Sequence, residues 1–505
     1  MADSETKIIT KLLERRQIEA EFQRLLEATS AAEFRRGAAQ IAAHGTQVLP
    51  VIVANLGRAD AGLLNVMGEV AALLDSQDAV VALREAVLHE QLTDRARLAA
   101  IEILERWLGW PADDELLDRV QDPQGVVLAA LDRAVGQGRH DAAALIDYVE
   151  GLDRQEPDVV LSALGALRRL AQAGHDGIVV ELMRMMALDV REEIGAAATE
   201  ALGTIREPAS GWALQTLIPT APPSLGERTE RLLRKLRFSG VEVEPSVEPG
   251  PGWRALASPP TASGQQNVWF ILEEQDTGHA RFLNVLLHDH AGAVEAAAHE
   301  WVPTIMLLPA RPVGHVHDVA FPDGSGSILL VEAPFDVGRR LVLDALSANR
   351  ETQIPLAGTL RLRSPWLWGV SGGRTLPDRR RPEEPAAGGD TTRLLAHPAL
   401  AGWAIGGHTL LDLAAGPRGR QGWKLDVYEQ RLVDQIAADR TMTEVLATRL
   451  RAVGEWMLLA HDEVTAALAM AAAKGIAAAP RDEPFLRALV RRDLEIALRG
   501  MERSQ

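Results

Sequence analysis

Two short histidine-rich runs are the part of this chain whose residue types and spacing come closest to a chemical site. They are His288-Asp289-His290 and His315-Val316-His317-Asp318. Histidines two positions apart on a strand point to the same face, so two such pairs can converge on zinc or iron, with an aspartate completing the shell. The runs lack the spacing of the H-x-H-x-D-H and H-E-x-x-H metal motifs. The alternative, which this spacing favours, is that His288, His290, His315 and His317 are exposed residues around a polar hairpin.

A basic segment, Leu225 to Phe238, is the second candidate site. It is predicted to be a helix, and its cations include Arg228, Arg231, Arg234 and Lys235. One interpretation is a contact with an anionic partner or nucleic acid, which would weaken steeply with salt. The other is a capping helix that covers the preceding helices with its leucines and turns its charges to water. The second interpretation is favoured.

Two glycine-containing segments resemble catalytic or phosphate-binding loops only formally. Gly369-Val370-Ser371-Gly372-Gly373 fits G-x-S-x-G, and Trp366-Leu367-Trp368 before it is a candidate strand, but the helix that a nucleophile elbow needs after the serine is missing. Pro322 to Ser327 lacks the lysine and spacing of a phosphate-binding loop and is predicted to be a turn. The sequence therefore predicts no catalytic residue and no cofactor-binding loop.

Charge and composition exclude several classes of function. The 53 basic and 70 acidic residues give a net charge of −17, which disfavours general nucleic-acid binding. The absence of cysteine excludes disulfides, thiolate metal sites and cysteine nucleophiles. Residues Met1 to Glu5 lack the basic flank of a secretory signal, and no apolar run is long enough to span a membrane. We therefore expect a soluble protein located in the cytoplasm.

The elements that must position these residues begin with a long helical region. From about Ala32 to Arg206, apolar residues recur every three or four positions, the period of a helix. Ala100, Ala163 and Ala198 occupy similar places in similar helices, at offsets of about 63 and 35 residues, close to two periods and one period of a helix-pair repeat. Aspartates at the helix starts, such as Asp94, are expected to satisfy free amide groups there.

This region resembles HEAT repeats, most clearly in Asp189-Val190-Arg191, Ala197-Ala198 and Ala201-Leu202-Gly203. The resemblance covers roughly a third of the chain and implies an α-solenoid, a fold that mostly serves as a scaffold for other proteins. The order of the segments is also similar to that of an uncharacterised group of bacterial HEAT-repeat proteins, which carries no known activity. The closing motif of that similarity is Pro484-Phe485-Leu486-Arg487-Ala488-Leu489-Val490.

The second half has a different chemistry, with nine of the eleven tryptophans after Arg206. Val268 to Leu272 and Arg281 to Leu287 are predicted strands, Asp289 to Trp301 an alanine-rich helix, and Asp336 to Arg350 a further helix. Three helices are predicted near the carboxy terminus: Thr441 to His461, Asp462 to Gly475 and Pro484 to Arg499. Trp366, Trp368, Trp403 and Trp423 are predicted to form a core, with a ligand or peptide groove as the alternative.

The sequence thus predicts a mainly α fold. The predicted parts are an amino-terminal helical lead (1–31), a HEAT-like α-solenoid with a basic capping helix (32–238), a Pro/Gly linker (239–264), a small mixed α/β domain (265–391) and a carboxy-terminal helical bundle (392–505). The function expected from this organisation is a non-enzymatic scaffold for protein–protein interaction, without a cofactor. Its partner would be another protein or the chain's own second half, and neither nucleic acid nor a membrane. The alternative is a metal-dependent enzyme that uses the histidine cluster of residues 265–390.

Overall fold

The chain divides into two compact units, Met1–Leu182 and Met183–Gln505. The structure is a computed structural model that describes residues 15–26, 31–59, 61–74, 76–111, 113–173, 177–245, 249–250, 252–274, 277–321, 326–370, 389–404 and 425–503. We call the two parts the amino-terminal unit and the carboxy-terminal unit. Every helix in the described ranges is too short or too polar to span a bilayer.

In the described residues of the amino-terminal unit, all regular secondary structure is helical. Residues 15–26 are helical. The following helices are α1 (Ala31–Ala42), α2 (Leu49–Asn55), α3 (Ala61–Leu73), α4 (Ser76–Leu88), α5 (Asp94–Arg106), α6 (Asp114–Leu117), α7 (Pro123–Gly138), α8 (Ala144–Leu152), α9 (Pro157–Ala173) and α10 (Gly177–Met186), the last of which crosses the boundary between the units. Helices close in sequence pack against each other, as α4 does against α5 and α7 against α8 and α9.

Asp94 shows how these helices are joined. The hydroxyl of Thr93 caps α5, so Asp94 lies in the first turn, as the sequence predicts. Its carboxylate accepts hydrogen bonds from the backbone amides of Gln121 (2.9 Å) and Asp122 (2.7 Å), at the approach to α7. The Asp122 amide is the main cause that lowers the pKa of Asp94 below its ordinary value, and Arg97 adds to it. The acid therefore holds two neighbouring helices together.

The predicted helical period is confirmed for the described residues of 32–206, where no strand occurs. That these helices form a HEAT-like solenoid stays a prediction. The predicted end of the array at residue 238 differs from the boundary of the compact units. Three helices after α10 belong to the carboxy-terminal unit: α11 (Glu192–Leu202), α12 (Pro208–Leu217) and α13 (Pro223–Phe238).

A six-stranded antiparallel sheet forms the middle of the carboxy-terminal unit. Its strands are β1 (Trp253–Ala257), β2 (Gln265–Glu273), β3 (His279–His288), β4 (Gly292–Pro303), β5 (Val316–Ala320) and β6 (Ser327–Ala333), in the order β4-β3-β2-β1-β6-β5. Alternate residues are buried along much of β3, whereas consecutive residues of β1 are buried, as expected for a central strand that is covered on both faces. The predicted strands Val268 to Leu272 and Arg281 to Leu287 are confirmed within β2 and β3.

Two sequence predictions are wrong in this region. The predicted linker 239–264 contains β1, a central strand that pairs with β2 on one side and β6 on the other. Its Ala255, Leu256 and Ala257 are fully buried, and the prolines that suggested a linker lie outside the strand. The predicted helix Asp289 to Trp301 is instead strand β4, because pairing with β3 overrides the helix propensity of its alanines.

Further helices follow the sheet, whose inner face we define as the face that carries Ala255, Ala257 and Phe270. They are α14 (Phe335–Thr352), α15 (Gly358–Arg363), α16 (Pro365–Trp368), α17 (Leu425–Ala438), α18 (Arg440–Leu459), α19 (Glu463–Ala478) and α20 (Pro484–Arg503). Asp439 and Asp462 cap α18 and α19 through their carboxylates. The predicted helices in these ranges are confirmed, apart from small shifts of their ends.

The carboxy-terminal helices share one hydrophobic core with the sheet. Leu450, Val453 and Trp456 of α18 belong to the same buried cluster as Ala257 of β1 and Val331 of β6. The sequence separates an α/β domain from a helical bundle near residue 391, whereas the packing unites them. Of the four tryptophans predicted to form a core, Trp368 and Trp403 are buried, Trp366 is partly buried, and Trp423 lies outside the described residues.

Candidate ligand-binding site

A cavity of about 480 Å³ lies between α14 and α18 above the inner face of the sheet. The volume falls within the range of 300–1,000 Å³ that is typical of small-molecule sites. Apolar side chains from both helices line much of it: Val337, Leu341, Ala345, Ala452, Trp456, Leu458 and Leu459. Protein interiors leave few voids larger than a water molecule. A cavity of this volume between two helices is therefore a candidate binding site.

The α18 wall is fixed to the sheet by two side chains that also line the cavity. The indole Nε1 of Trp456 donates to the carbonyl of Ala257 at 2.8 Å. Arg449 donates to both carboxylate oxygens of Asp289, with Nε to Oδ2 at 2.6 Å and Nη2 to Oδ1 at 3.0 Å, and also to the carbonyl of Ala262. Bidentate pairs of this kind hold a defined geometry, so the wall is preorganised.

The α14 wall is fixed in a different way. Gly338 lies so close to the sheet that a Cβ there would come within 2.6 Å of the Ala255 side chain. Near the other end of the helix, the buried Asn349 accepts from the amide of Ala293 at 2.7 Å and donates to the carbonyl of Ala291 at 3.0 Å. The helix is therefore anchored at both ends, and Leu341 and Ala345 line the cavity between these anchors.

The rim of the cavity contains a residue with unusual backbone geometry. His461, just after α18, has a φ of 59°, in the left-handed region that non-glycine residues rarely adopt. Its Nε2 lies 3.2 Å from the carbonyl of Val313, which also lines the cavity. The ring packs against Gly314, itself at a φ of 93°. Such geometry persists only where its surroundings impose it, and it is concentrated at functional sites.

The opposite end of the cavity is polar. His288 Nδ1 accepts from the backbone amides of His290 and Ala291, each at 3.1 Å, so the neutral ring carries its proton on Nε2. Gln266 donates through Nε2 to the carbonyl of Ser258 at 2.8 Å, and its Oε1 can act as an acceptor. Both residues line the cavity. This end of the cavity is thus lined by polar residues of the sheet.

The two histidine runs do not come together as a metal site. His288 ends β3 and His290 follows it, whereas His317 lies on β5, with β2, β1 and β6 between. Four strand spacings amount to roughly 19 Å, far beyond the reach of one metal ion. Within the described ranges, no group of three or more histidine and acidic side chains is arranged to hold a metal. The less favoured interpretation, a shared metal site, is not formed because the strand order separates the runs. The favoured prediction of exposed histidines holds for His290 and His315 but is wrong for His317, which is buried.

The second histidine run belongs to a buried ionic cluster instead. His317 Nε2 lies 3.0 Å from Oε1 of Glu332, and the same carboxylate pairs with Arg254. The rings of His315 and His317 are in contact, with centroids 4.8 Å apart. Arg254 also donates to the carbonyl of Leu308. The cluster therefore joins β1, β5 and β6 to the segment before β5.

The four candidate cations of the basic segment lie on the exposed side of α13. These residues are Arg228, Arg231, Arg234 and Lys235. Leu225, Thr229, Leu233 and Leu236 are buried on the other side, and Arg228 pairs with Glu200 of α11. This is the arrangement expected for a capping helix, although Leu232, expected on the buried side, is only partly buried. A role in binding an anionic partner stays a prediction.

The two formal loop motifs do not give a further site among the described residues. Trp366-Leu367-Trp368 lies in helix α16, not in a strand, so the first requirement of a nucleophile elbow is not met. Residues 371–373 and 322–325 lie outside the described part of the chain.

Sequence reasoning found only one corner of the cavity. His288 and Asp289 were singled out as metal ligands, and both line it. Arg449, Trp456 and His461 were missed, because they come from a helix that is more than 150 positions away along the chain. The only local signal is a histidine directly before the capping Asp462, at a helix end where a left-handed residue is common.

Comparison of the chain with protein-family models, with curated proteins and with solved structures gave no match.

Proposed function

We propose that the carboxy-terminal unit is a binding module that holds one small, largely apolar molecule between α14 and α18. The cavity itself carries this proposal, because its volume is that of a small-molecule site and much of its lining is aliphatic or aromatic. Contact with such a lining removes apolar ligand surface from water, which is worth about 25 cal/mol per Å².

The fixed walls support the same function. Trp456 and Arg449 tie α18 to the sheet, and Gly338 and Asn349 fix α14, so little side-chain or helix ordering remains to oppose binding.

The test uses the uncharged fluorescent probe N-phenyl-1-naphthylamine with the full-length chain. We expect its emission to rise and saturate at one probe per chain, and part of the tryptophan fluorescence to be quenched in parallel, since Trp456 lines the cavity. Ala452→Trp, which places an indole in the cavity, is expected to weaken probe binding about tenfold or more. Ala477→Trp at the exposed end of α19 is the matched control and is expected to bind as the wild type does.

Two results would contradict the proposal. One is the absence of saturable probe binding by the wild-type chain. The other is equal probe affinity for Ala452→Trp and the wild type, which would place the probe elsewhere on the protein.

We also propose that the amino-terminal unit is a HEAT-like array that acts as a scaffold for a protein partner. The observation that favours an array is the link made by Asp94 between α5 and the approach to α7. We expect Asp94→Asn to increase amide hydrogen exchange in both helices, because the charge-assisted hydrogen bonds weaken. Asp158→Asn, in the first turn of α9, is the control. Unchanged exchange in α7 would remove this support.

A further inference from the structure

The polarity of the cavity changes from one end to the other. At the more apolar end, Val313, Val337 and Leu459 line it, with His461 at the rim. At the opposite end, the lining residues are His288 and Gln266 of the sheet, together with the Arg449–Asp289 pair. A molecule that fills the cavity therefore meets aliphatic groups at one end and hydrogen-bonding groups at the other.

The charges of the lining cancel. The cations are Arg340, Arg449 and Arg451, and the anions are Asp289, Asp344 and Glu455. Moving an ionised group from water into a largely apolar cavity is costly unless an opposite charge receives it. Arg449 and Asp289 already satisfy each other through two hydrogen bonds, so the lining offers no excess charge of either sign.

The polar end fits a hydroxyl group. The Oε1 of Gln266 can accept, since its Nε2 is engaged with Ser258. A hydroxyl can donate to this oxygen without introducing a charge.

We infer that the ligand of this cavity is an uncharged amphipathic molecule with a hydroxyl-bearing polar end and an apolar body. The inference rests on the proposed binding function and adds the chemical class of the ligand. The apolar body lies toward Val313 and Val337, and the hydroxyl lies at Gln266.

The experiment compares three probes with the same eight-carbon body and different polar ends. Octan-1-ol, octanoate and octylammonium are each used to displace N-phenyl-1-naphthylamine from the full-length chain at neutral pH, where the last two are ionised. We expect octanol to displace the dye at a concentration about tenfold lower than either ion. Gln266→Leu, which removes the acceptor, is expected to reduce that preference for octanol over the ions.

Two charge variants of exposed lining residues test the charge argument. Asp344→Asn gives the lining one excess positive charge, and Arg451→Gln gives it one excess negative charge. We expect octanoate to gain against octylammonium in the first variant and to lose against it in the second. Because both side chains are exposed, both variants are expected to fold as the wild type does.

The failures of the two proposals are distinguishable. If the dye binds and Ala452→Trp blocks it, but octanoate or octylammonium displaces it better than octanol, the site stands and the inferred ligand class is wrong. The class is also wrong if the two charge variants leave the order of the ions unchanged. If the dye does not bind at all, the binding function itself is overturned.

Discussion

Arg184 places a guanidinium in the interior of the carboxy-terminal unit, where its side chain is 0% exposed. It donates to the carbonyls of Arg361 and Leu362, at 2.8 and 3.0 Å, and to the hydroxyl of Ser364 at 2.6 Å. The two carbonyls belong to the last turn of α15, whose acceptors have no partner within the helix. A buried cation thus donates the hydrogen bonds that the last carbonyls of α15 would otherwise need from water.

We expect Arg184→Met to lower the free energy of unfolding of the carboxy-terminal unit by about 2–4 kcal/mol, because the buried carbonyls of Arg361 and Leu362 lose the Arg184 donor and, among the described residues, only the Arg361 carbonyl has a second one, the Ser364 hydroxyl. Urea unfolding followed by tryptophan fluorescence measures the change. Arg231→Met, at an exposed site on α13, is the control and is expected to change stability by less than about 0.5 kcal/mol. Equal midpoints for the two variants would contradict the structural role of Arg184.

A histidine near the start of the carboxy-terminal helices predicts a dependence of stability on pH. Burial lowers the pKa of His397 below the usual 6.5, although Asp462 acts in the opposite direction. In the neutral ring, Nδ1 accepts from the amide of Ala399 at 3.1 Å. Since the unfolded chain binds this proton more readily than the folded one, the contribution of His397 is lost as the pH falls from about 6.5 toward the lowered pKa.

We therefore expect His397→Asn to flatten part of the pH dependence of stability, because asparagine can accept the same hydrogen bond but does not titrate. Urea midpoints are measured between pH 8 and pH 5 for the variant and the wild type. The wild type is expected to lose more stability over the acidic part of this range. Parallel curves for the two proteins would show that His397 does not contribute.

At the scale of the element, the segment between β4 and β5 links the outer face of the sheet to the rim of the cavity. Leu307 and Leu308 pack against Ile271 and Leu256, on the face opposite α14. A few residues later, Gly314 donates its amide to the carbonyl of Glu332 at 2.8 Å and contacts His461. The position of this segment thus sets the position of Val313 in the cavity wall.

We expect Gly314→Ala to disturb the cavity. The new Cβ would lie 2.1 Å from the His461 ring and 3.1 Å from the backbone oxygen of Leu459, and a left-handed alanine costs about 1–2 kcal/mol in addition. Binding of N-phenyl-1-naphthylamine is expected to weaken about tenfold. Gly278→Ala is the matched control, because its φ is also positive at 67° but nothing lies within 4 Å of its new Cβ. The same dye affinity in both variants would contradict the proposed rim.

Sequence periodicity predicts some of the helices and strands of this fold and fails for others. It predicted the helices of the first half and β2, β3, α14 and the last three helices, because each has a regular apolar pattern of its own. It mistook β4 for a helix, since Ala296, Ala297 and Ala298 favour a helix and their pairing with Val285, Asn284 and Leu283 is invisible locally. The cavity could not be predicted either, because its walls come from segments far apart in the sequence.

At the scale of the molecule, each compact unit has a hydrophobic core of its own. In the amino-terminal unit, Ile103 and Leu104 belong to a cluster of helical residues that begins at Ile18. In the carboxy-terminal unit, the cluster of Trp456 contains residues from the sheet and from the last helices. The tryptophan content of the sequence distinguishes the second half of the chain. The predicted boundary between the two parts lies near residue 238, because the helical period continues through α11, α12 and α13.

Separate cores predict separate responses to core truncation. Ile103 and Leu283 are both fully buried, one in α5 and the other in β3. Shortening either side chain to alanine removes apolar contacts and leaves a cavity, at a cost of about 2–5 kcal/mol. In hydrogen-exchange mass spectrometry of the full-length chain, we expect Ile103→Ala to lower amide protection in α3 to α7 while the sheet keeps its protection. Leu283→Ala is expected to give the reverse pattern and to weaken dye binding. Loss of protection across both units in either variant would show that the chain unfolds as one cooperative body, and the two cores would then have to be treated as one.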